Sequence, residues 1–494
     1  MIVKRPRLVF SALRGNSGKT FVTVGVGACL RGKGKFISSF KKGPDYIDAA
    51  WLETATGHPC YNLDLFLMGR AGLLSSFSTR VQHADGALVE GNRGLYDGMD
   101  REGSYSTAEL AKLLRAPVIL VVDCSMATRT VAAMILGCQH FDPEVAIKGI
   151  ILNRIGGTRH ESIVRSAIED HCGVPVLGAV PRIKGGIFPE RHMGLVPPRE
   201  HPDAGWMVEE AARIVERHVD VNQLWEIARE APAVDFGELD REKEERYVRP
   251  SIKPKIGFIR DSAFWFYYPD NLQILEKMGA SLVECSALTD RELPQVNALY
   301  IGGGFPESHA ASLAANTSFR KSLREAVEAG LPVYAECGGL MYLGKDLLVE
   351  EKTFPMTGIF PLSFILDRTP HAHGYTILEV DSPNLYFPTG EILHGHEFHY
   401  SYIPRWNEES FDLVFNVRRG QGIHGRRDGL LYKNVLATYS HLHAAGAKRW
   451  GRALLEQAVY YQNKSSLGPA LTMSESPVVT TAQRSFLPGH MGLT

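Results

Sequence analysis

Short, nearly unbroken apolar runs alternate with longer stretches of helical spacing along the first two hundred residues. Arg7–Leu13 (RLVFSAL), Lys35–Phe40 (KFISSF), Gly86–Gly91 (GALVEG), Val118–Asp123 (VILVVD) and Gly149–Ile155 (GIILNRI) are rich in β-branched side chains and show little polar alternation. Strands of that kind are buried on both faces, as in a parallel sheet with helices on either side. The pattern fades after about His218. Residues 219–253 turn charged and lose periodicity, with Asp240–Arg246 (DREKEER) at their centre, and read as a solvated linker. A second α/β series follows in Lys255–Arg260, Ser281–Ser286, Ala298–Gly304 and Pro332–Cys337. Residues 464–494 are rich in Ser, Thr, Pro and Gly and read as a flexible tail. The expected plan is an α/β domain over 1–218, a linker over 219–253, a second α/β domain over 254–463 and a tail over 464–494.

Composition narrows the class. A chain of 494 residues exceeds one ordinary core, and 44% hydrophobic with 22% charged residues is typical of soluble globular proteins. A formal net charge of -1 supplies no overall field for nucleic acid or an anionic membrane, so neither is expected as a partner. No run approaches the roughly 18–20 apolar residues of a spanning helix. Seven scattered cysteines include no CxxC pair, which argues against a disulfide framework or a zinc site. The basic start lacks the apolar core of a signal peptide, so a reducing cytoplasm is expected.

The first strand runs into Leu13-Arg14-Gly15-Asn16-Ser17-Gly18-Lys19-Thr20 and then a helix-compatible stretch. A strand, a tight glycine loop and a helix N-terminus form an anion site, because successive backbone N–H groups converge on phosphate. Lys19 would reach the terminal phosphates of ATP, and the Thr20 hydroxyl would ligate Mg²⁺. The strict G-x-x-x-x-G-K-[ST] pattern fails at Leu13; the variant in which a basic residue, here Arg14, precedes the loop fits better. Acids follow two further strands: Asp45 and Asp48 in KKGPDYID, Glu90 and Asp97 in VEGNRGLYDG. All four belong at the strands' carboxyl edge, where ligands of open α/β sheets gather. Mg²⁺ takes only one or two carboxylates beside phosphate, so Asp45 and Glu90 are the candidate ligands and the other acids serve the second substrate or its loop.

In Pro332–Leu340 (PVYAECGGL) an apolar strand ends at Cys337, followed by two glycines, which reads as a nucleophile elbow. A helix N-terminus there favours the thiolate. Upstream, Gly302-Gly303-Gly304 closes another strand and offers backbone N–H groups to an oxyanion. The thiol needs a base; His441, in LATYSHLH, is preferred over His443 and over the cluster in LHGHEFHYS.

Taken together, KKGPDYID, VEGNRGLYDGMD, PERHMGL, GGGFPE, YAECGGLMYLG and GHEFHYS resemble the cobyrinic acid a,c-diamide synthase family over roughly residues 5–460. The resemblance implies an ATP-binding domain of the dethiobiotin-synthetase type fused to a class I glutamine amidotransferase domain. It implies that Cys337 attacks L-glutamine to give a glutamyl thioester and ammonia, with His441 raising its nucleophilicity. Asp45, Asp48, Glu90 and Asp97 match acidic positions of the synthetase, and Lys19 and Thr20 its nucleotide loop. The implied reaction phosphorylates the a and c acetate carboxylates of a tetrapyrrole and displaces the phosphate with ammonia. By the same analogy a homodimer is expected. Two departures stand out: the loop reads ALRGNSGKT rather than beginning Gly-Thr-Ser, and His443 stands where class I amidotransferases often carry Glu. Glu397 is a candidate to orient His441 instead. Relatives that amidate sirohaem share the plan, so that substrate stays open, as does a partitioning-type ATPase switch, which would leave the Cys337 elbow without a role.

Overall fold

Seven strands, all parallel, form the first sheet in the order Tyr61–Leu63, Ile37–Lys42, Gly86–Glu90, Arg7–Ala12, Val118–Asp123, Ile147–Ile155, Val176–Pro181. This computed structural model describes residues 2–183, 185–191, 194–235, 253–406 and 411–466. The five strands expected from apolar runs are the sheet's interior. Successive residues feed opposite layers: Leu8 and Phe10 pack with the helices Lys19–Gly32 and Ala204–His218, while Val9 packs with the layer of Leu65–Val81 and Thr158–Cys172. Helices therefore cover both faces, as the continuous β-branched runs require.

Residues 219–235, assigned above to the linker, belong instead to this first layer. Val221–Arg229 is a helix whose Asp220 side chain accepts the Gln223 N–H, and Val221, Leu224, Ile227 and Ala228 are buried on the sheet. Val234–Asp235 pairs antiparallel with Ile2–Val3. Buried Arg7 donates to the carbonyls of Leu114 (2.8 Å), Arg115 (3.2 Å) and Pro232, tying the segment down. A nine-residue helix shows only two turns of apolar spacing, too little to stand out among charges. The Asp240–Arg246 run and residues 467–494 of the tail lie outside the described residues.

The second sheet has ten strands. Ser281–Cys285, Lys255–Ile259, Ala298–Ile301, Val333–Glu336 and Val435–Thr438 run parallel. The sheet then turns antiparallel through Arg427–Tyr432, Asp412–Arg419, Ala372–Val380, Ile392–His399 and His441–Leu442. The two sheets dock directly. Tyr375 donates to Asp64 Oδ2 (2.6 Å), Gln273 to the Tyr61 hydroxyl (2.9 Å), and the His394 ring stacks on Phe66 at 4.7 Å. Among the described residues no helix is long and apolar enough to cross a membrane.

Candidate active sites on a shared cavity

The Arg7–Ala12 strand delivers the glycine loop to the sheet's carboxyl edge. Gly18 sits at φ 87°, and a Cβ there would lie 2.1 Å from Asn153 Nδ2, which donates to the Ser17 carbonyl (2.9 Å). Only glycine fits that approach. The helix begins at Lys19 with no side-chain cap, so its first amides are left for an anion. Gly15, Asn16, Ser17, Gly18, Lys19 and Thr20 all line one cavity, whereas Arg14 is 73% exposed and pairs with Asp123 (3.1 Å) outside it.

The acids meet where the strand ends converge. Thr20 Oγ1 donates to Glu90 Oε1 (2.7 Å). Buried Lys41 bridges Asp48 (2.5 Å), Glu90 (2.9 Å) and, more distantly, Asp45 (3.9 Å). One cation therefore compensates three carboxylates. Burial alone would lower the Lys41 pKa, but the three acids outweigh it and raise it. The Asp45 pKa is also raised, pushed up to about 7 by burial and then by Asp48, while Lys41 holds Asp48 below its ordinary value despite burial. Lys19 donates to the Arg93 carbonyl (2.9 Å), and its pKa is lowered by burial and by Lys41. Asp97 lines the cavity and accepts the Gly94 N–H (2.8 Å), shaping its own loop.

At the second sheet, Cys337 occupies the turn between Val333–Glu336 and the helix Gly338–Leu343 with φ 48° and ψ -103°, a strained conformation for a residue with a side chain. Its N–H donates to the Thr438 carbonyl (2.7 Å), which fixes the elbow against the strand leading to His441. A Cβ on Gly303 would lie 2.4 Å from His441 Cε1, and one on Gly338 would lie 3.1 Å from Gly304 N, so the triple glycine wraps elbow and ring together. Burial would lower the His441 pKa; its interactions with Cys337 and then Glu336 outweigh it and hold it at about 9. The His441 ring also stacks on His396 at 4.7 Å. Burial pushes the Cys29 thiol up to about 11 and those of Cys124 and Cys285 to about 12, as expected of inert core cysteines.

The carboxylate nearest His441 is Glu336, with Oε2 3.5 Å from Nδ1. Glu397 is engaged elsewhere, accepting the N–H groups of Gln421 (2.6 Å) and Gly422 (3.0 Å). His443 faces Asp270 at 3.6 Å and takes no part in the thiol site. Lys41, Glu336, Asn153 and His396 were passed over in the sequence. Glu336 had one signal, an acid immediately before the nucleophile at the end of a strand.

Tyr46, between the two loop acids, reaches from the first domain into the second. It stacks on Phe266 (4.8 Å between centroids, 6° between planes) and lies 5.6 Å from the His441 ring. A single cavity of about 1360 Å³ is lined by the glycine loop, Asp45, Tyr46, Asp48, Glu90 and Asp97 on one side and by Phe266, Tyr375, His396, Glu397, Phe398, Arg419 and His441 on the other.

Fold and sites define a two-domain protein in which a phosphate-loop nucleotide-binding domain faces a glutamine amidotransferase domain. Residues 8–195 match the family model of the CobQ/CobB/MinD/ParA nucleotide binding domain, and residues 255–449 that of the CobB/CobQ-like glutamine amidotransferase domain. Cobyrinate a,c-diamide synthase of Magnetococcus marinus is 43% identical over 448 residues, 90% of this chain and 95% of the relative. The proteins of that name from Archaeoglobus fulgidus (43%; 92% of this chain, 98% of the relative) and Methanosarcina acetivorans (40%; 92% and 95%) are comparably similar. The chain belongs to the cobyrinate a,c-diamide synthase family.

Proposed function

We propose that this chain uses ATP and glutamine to amidate the a and c acetate carboxylates of a tetrapyrrole, cobyrinate being the substrate its relatives' name supports. The observation that carries the reading is the shared cavity, which joins Lys19 and Thr20 to His441 without a break in its lining. At about 1360 Å³ it exceeds the roughly 300–1,000 Å³ of an ordinary small-ligand pocket, as a nucleotide and a macrocycle together require. Lys42, Arg93, Arg154, Arg182 and Arg419 line it, suiting phosphates and a polycarboxylate.

Glutamine hydrolysis follows from the elbow. The thiol proton passes to His441, and the Cys337 sulfur attacks the side-chain amide carbon; the charge that develops on the carbonyl oxygen falls to Gly303 and Gly304 rather than to Gly302, whose N–H is given to the Tyr267 hydroxyl (2.8 Å). The imidazolium returns a proton to nitrogen as the C–N bond breaks, releasing ammonia and leaving a thioester. Water then attacks the thioester, giving a proton to His441, and glutamate leaves as the thiol reforms. Across the cavity the substrate carboxylate takes the terminal phosphoryl group of ATP. The ammonia lone pair attacks the acyl carbon, phosphate departs with the C–O bond, and a proton is lost to give the amide. Free ammonia is mostly protonated in neutral water, so release into a cavity that the synthetase site shares limits that loss.

The acid cluster fits Mg²⁺. Glu90 Oε2 is buried with no hydrogen-bond partner beside the Thr20 hydroxyl, and both are hard oxygen donors. Bound there, Mg²⁺ would neutralise charge on the transferring phosphoryl group. Thr20 and Glu90 would hold it, with Asp45 as a further candidate ligand, and Lys41 would balance the remaining charge.

Mass spectrometry of parallel reactions with cobyrinic acid and sirohaem tests the reading. Each contains enzyme, ATP, Mg²⁺ and glutamine, with Cys337→Ala run on glutamine and on ammonium salt. Amides from cobyrinic acid, with the variant active on ammonium alone, are expected. Products from sirohaem only would change the substrate, and a fully active Cys337→Ala would overturn the two-site mechanism.

A further inference from the structure

With the class I glutamate replaced by His443, nothing in the sequence motif holds the base in place. The structure supplies a different carboxylate. We infer that Glu336, the residue before the nucleophile, is the positioning residue that orients His441 and sustains its charged form during glutamine hydrolysis. This deepens the reading of Cys337 and His441 as the glutaminase pair and rests on it.

Glu336 is fully buried, and its carboxylate is held at both oxygens. Oε1 accepts the Leu442 N–H (3.1 Å), one residue past His441, and Oε2 accepts the Tyr300 hydroxyl (3.1 Å). The same Oε2 lies 3.5 Å from His441 Nδ1, an atom with no other partner. A buried carboxylate fixed from two sides and aimed at a buried ring nitrogen that has no hydrogen bond of its own selects the tautomer whose Nε2 is free for the thiol. Strand alternation explains the placement: Glu336 and Cys337 are consecutive, and the sharp elbow lets both reach one ring from different sides. Other groups facing His441 offer no substitute. Cys337 is its reaction partner, His396 stacks on it as a base whose pKa is lowered by burial, and Tyr46 presents a ring 5.6 Å away. His399, within electrostatic reach, is held by the Ser401 carbonyl (2.9 Å).

The test is the full-length Glu336→Gln variant, assayed with glutamine and separately with ammonium salt, with the pH dependence of glutamine hydrolysis. The amide keeps the side chain's volume and one acceptor but removes the charge. Glutamine hydrolysis is expected to fall about 10²-fold or more, by analogy with orienting acids of hydrolytic triads, while ammonium-driven amidation is retained. The alkaline limb of hydrolysis should also move to lower pH, since the imidazolium loses its counter-charge. Glu336→Asp, with the charge withdrawn by one methylene, should fall between the two on both readouts. A Glu336→Gln enzyme with wild-type hydrolysis and an unmoved alkaline limb would overturn the inference. If that variant also lost ammonium-driven activity through misfolding, Glu336→Asp would decide: a displaced limb supports the role and an unmoved one sinks it. Cys337→Ala run alongside separates this failure from that of the underlying reading, because only the latter predicts its continued use of glutamine.

Discussion

Lys41 is the residue on which the synthetase site turns. Removing one partner of a buried ionic cluster leaves uncompensated charge and costs about 3–5 kcal/mol. Lys41→Met should therefore lower the melting temperature markedly at pH 8, and adding Asp48→Asn should recover part of the loss. Equal destabilisation in single and double variants would mean that charge balance is not what Lys41 provides. Asp45 carries the opposite sign. Its pKa rises from an unfolded value near 4 to about 7, so the folded state binds the extra proton between those pH values. Stability is thus lost as pH rises through that window, and ionised Asp45 is a burden above it. Asp45→Asn should raise the melting temperature at pH 8, by roughly 2–4 °C per kcal/mol relieved, with little change at pH 4. Amidation should fall in the same variant, which thermal melts and a product assay read together.

Among the elements, the triple-glycine strand is held to its composition by contact rather than by turn chemistry. A methyl group on Gly303 would enter the His441 ring at 2.4 Å. Gly303→Ala is expected to abolish most glutamine hydrolysis while leaving amidation from ammonium intact; equal loss of both would place the damage in the fold. Elements with continuous apolar runs were the legible ones, the half-exposed edge strand Ser281–Cys285 included. All five predicted strands of the first sheet and the four of the second exist, because continuous β-branched runs have few alternative homes. What escaped were pieces whose burial is one-sided or brief. Tyr61–Leu63 has three residues, and Ile392–His399 (ILHGHEFH) mixes histidines with apolar residues because it lines a cavity. The glycine loop, the acids and the cysteine elbow were readable because phosphate and thiol chemistry constrain spacing along the chain. Lys41 and Glu336 were not, since the link from Lys41 to Glu90 spans 49 residues and that from Glu336 to His441 spans 105, and only the fold makes them neighbours.

At the scale of the whole molecule, the two reactions must keep step, and the contact that connects them is Tyr46. Its loop carries Asp45 and Asp48 at the phosphate end, and its ring lies on Phe266 and near His441 at the glutaminase end. Offset aromatic contacts contribute about 0.5–1.5 kcal/mol each, enough to bias the loop without locking it. The ring also lies between the sites as part of the cavity lining, and deleting it would leave a void there. Tyr46→Ala should therefore still hydrolyse glutamine but release more ammonia per amide formed, and saturating ammonium should restore amidation better than glutamine does. Tyr46→Phe is the control: the hydroxyl is buried without a hydrogen-bond partner, so its loss should leave both the stack and the stoichiometry near wild type. Ammonia and amide counted in the same reaction settle the matter. A Tyr46→Ala enzyme with unchanged stoichiometry would make the ring a packing element alone and leave the coupling to the other contacts between the domains, Asp64–Tyr375 and Tyr61–Gln273 among them.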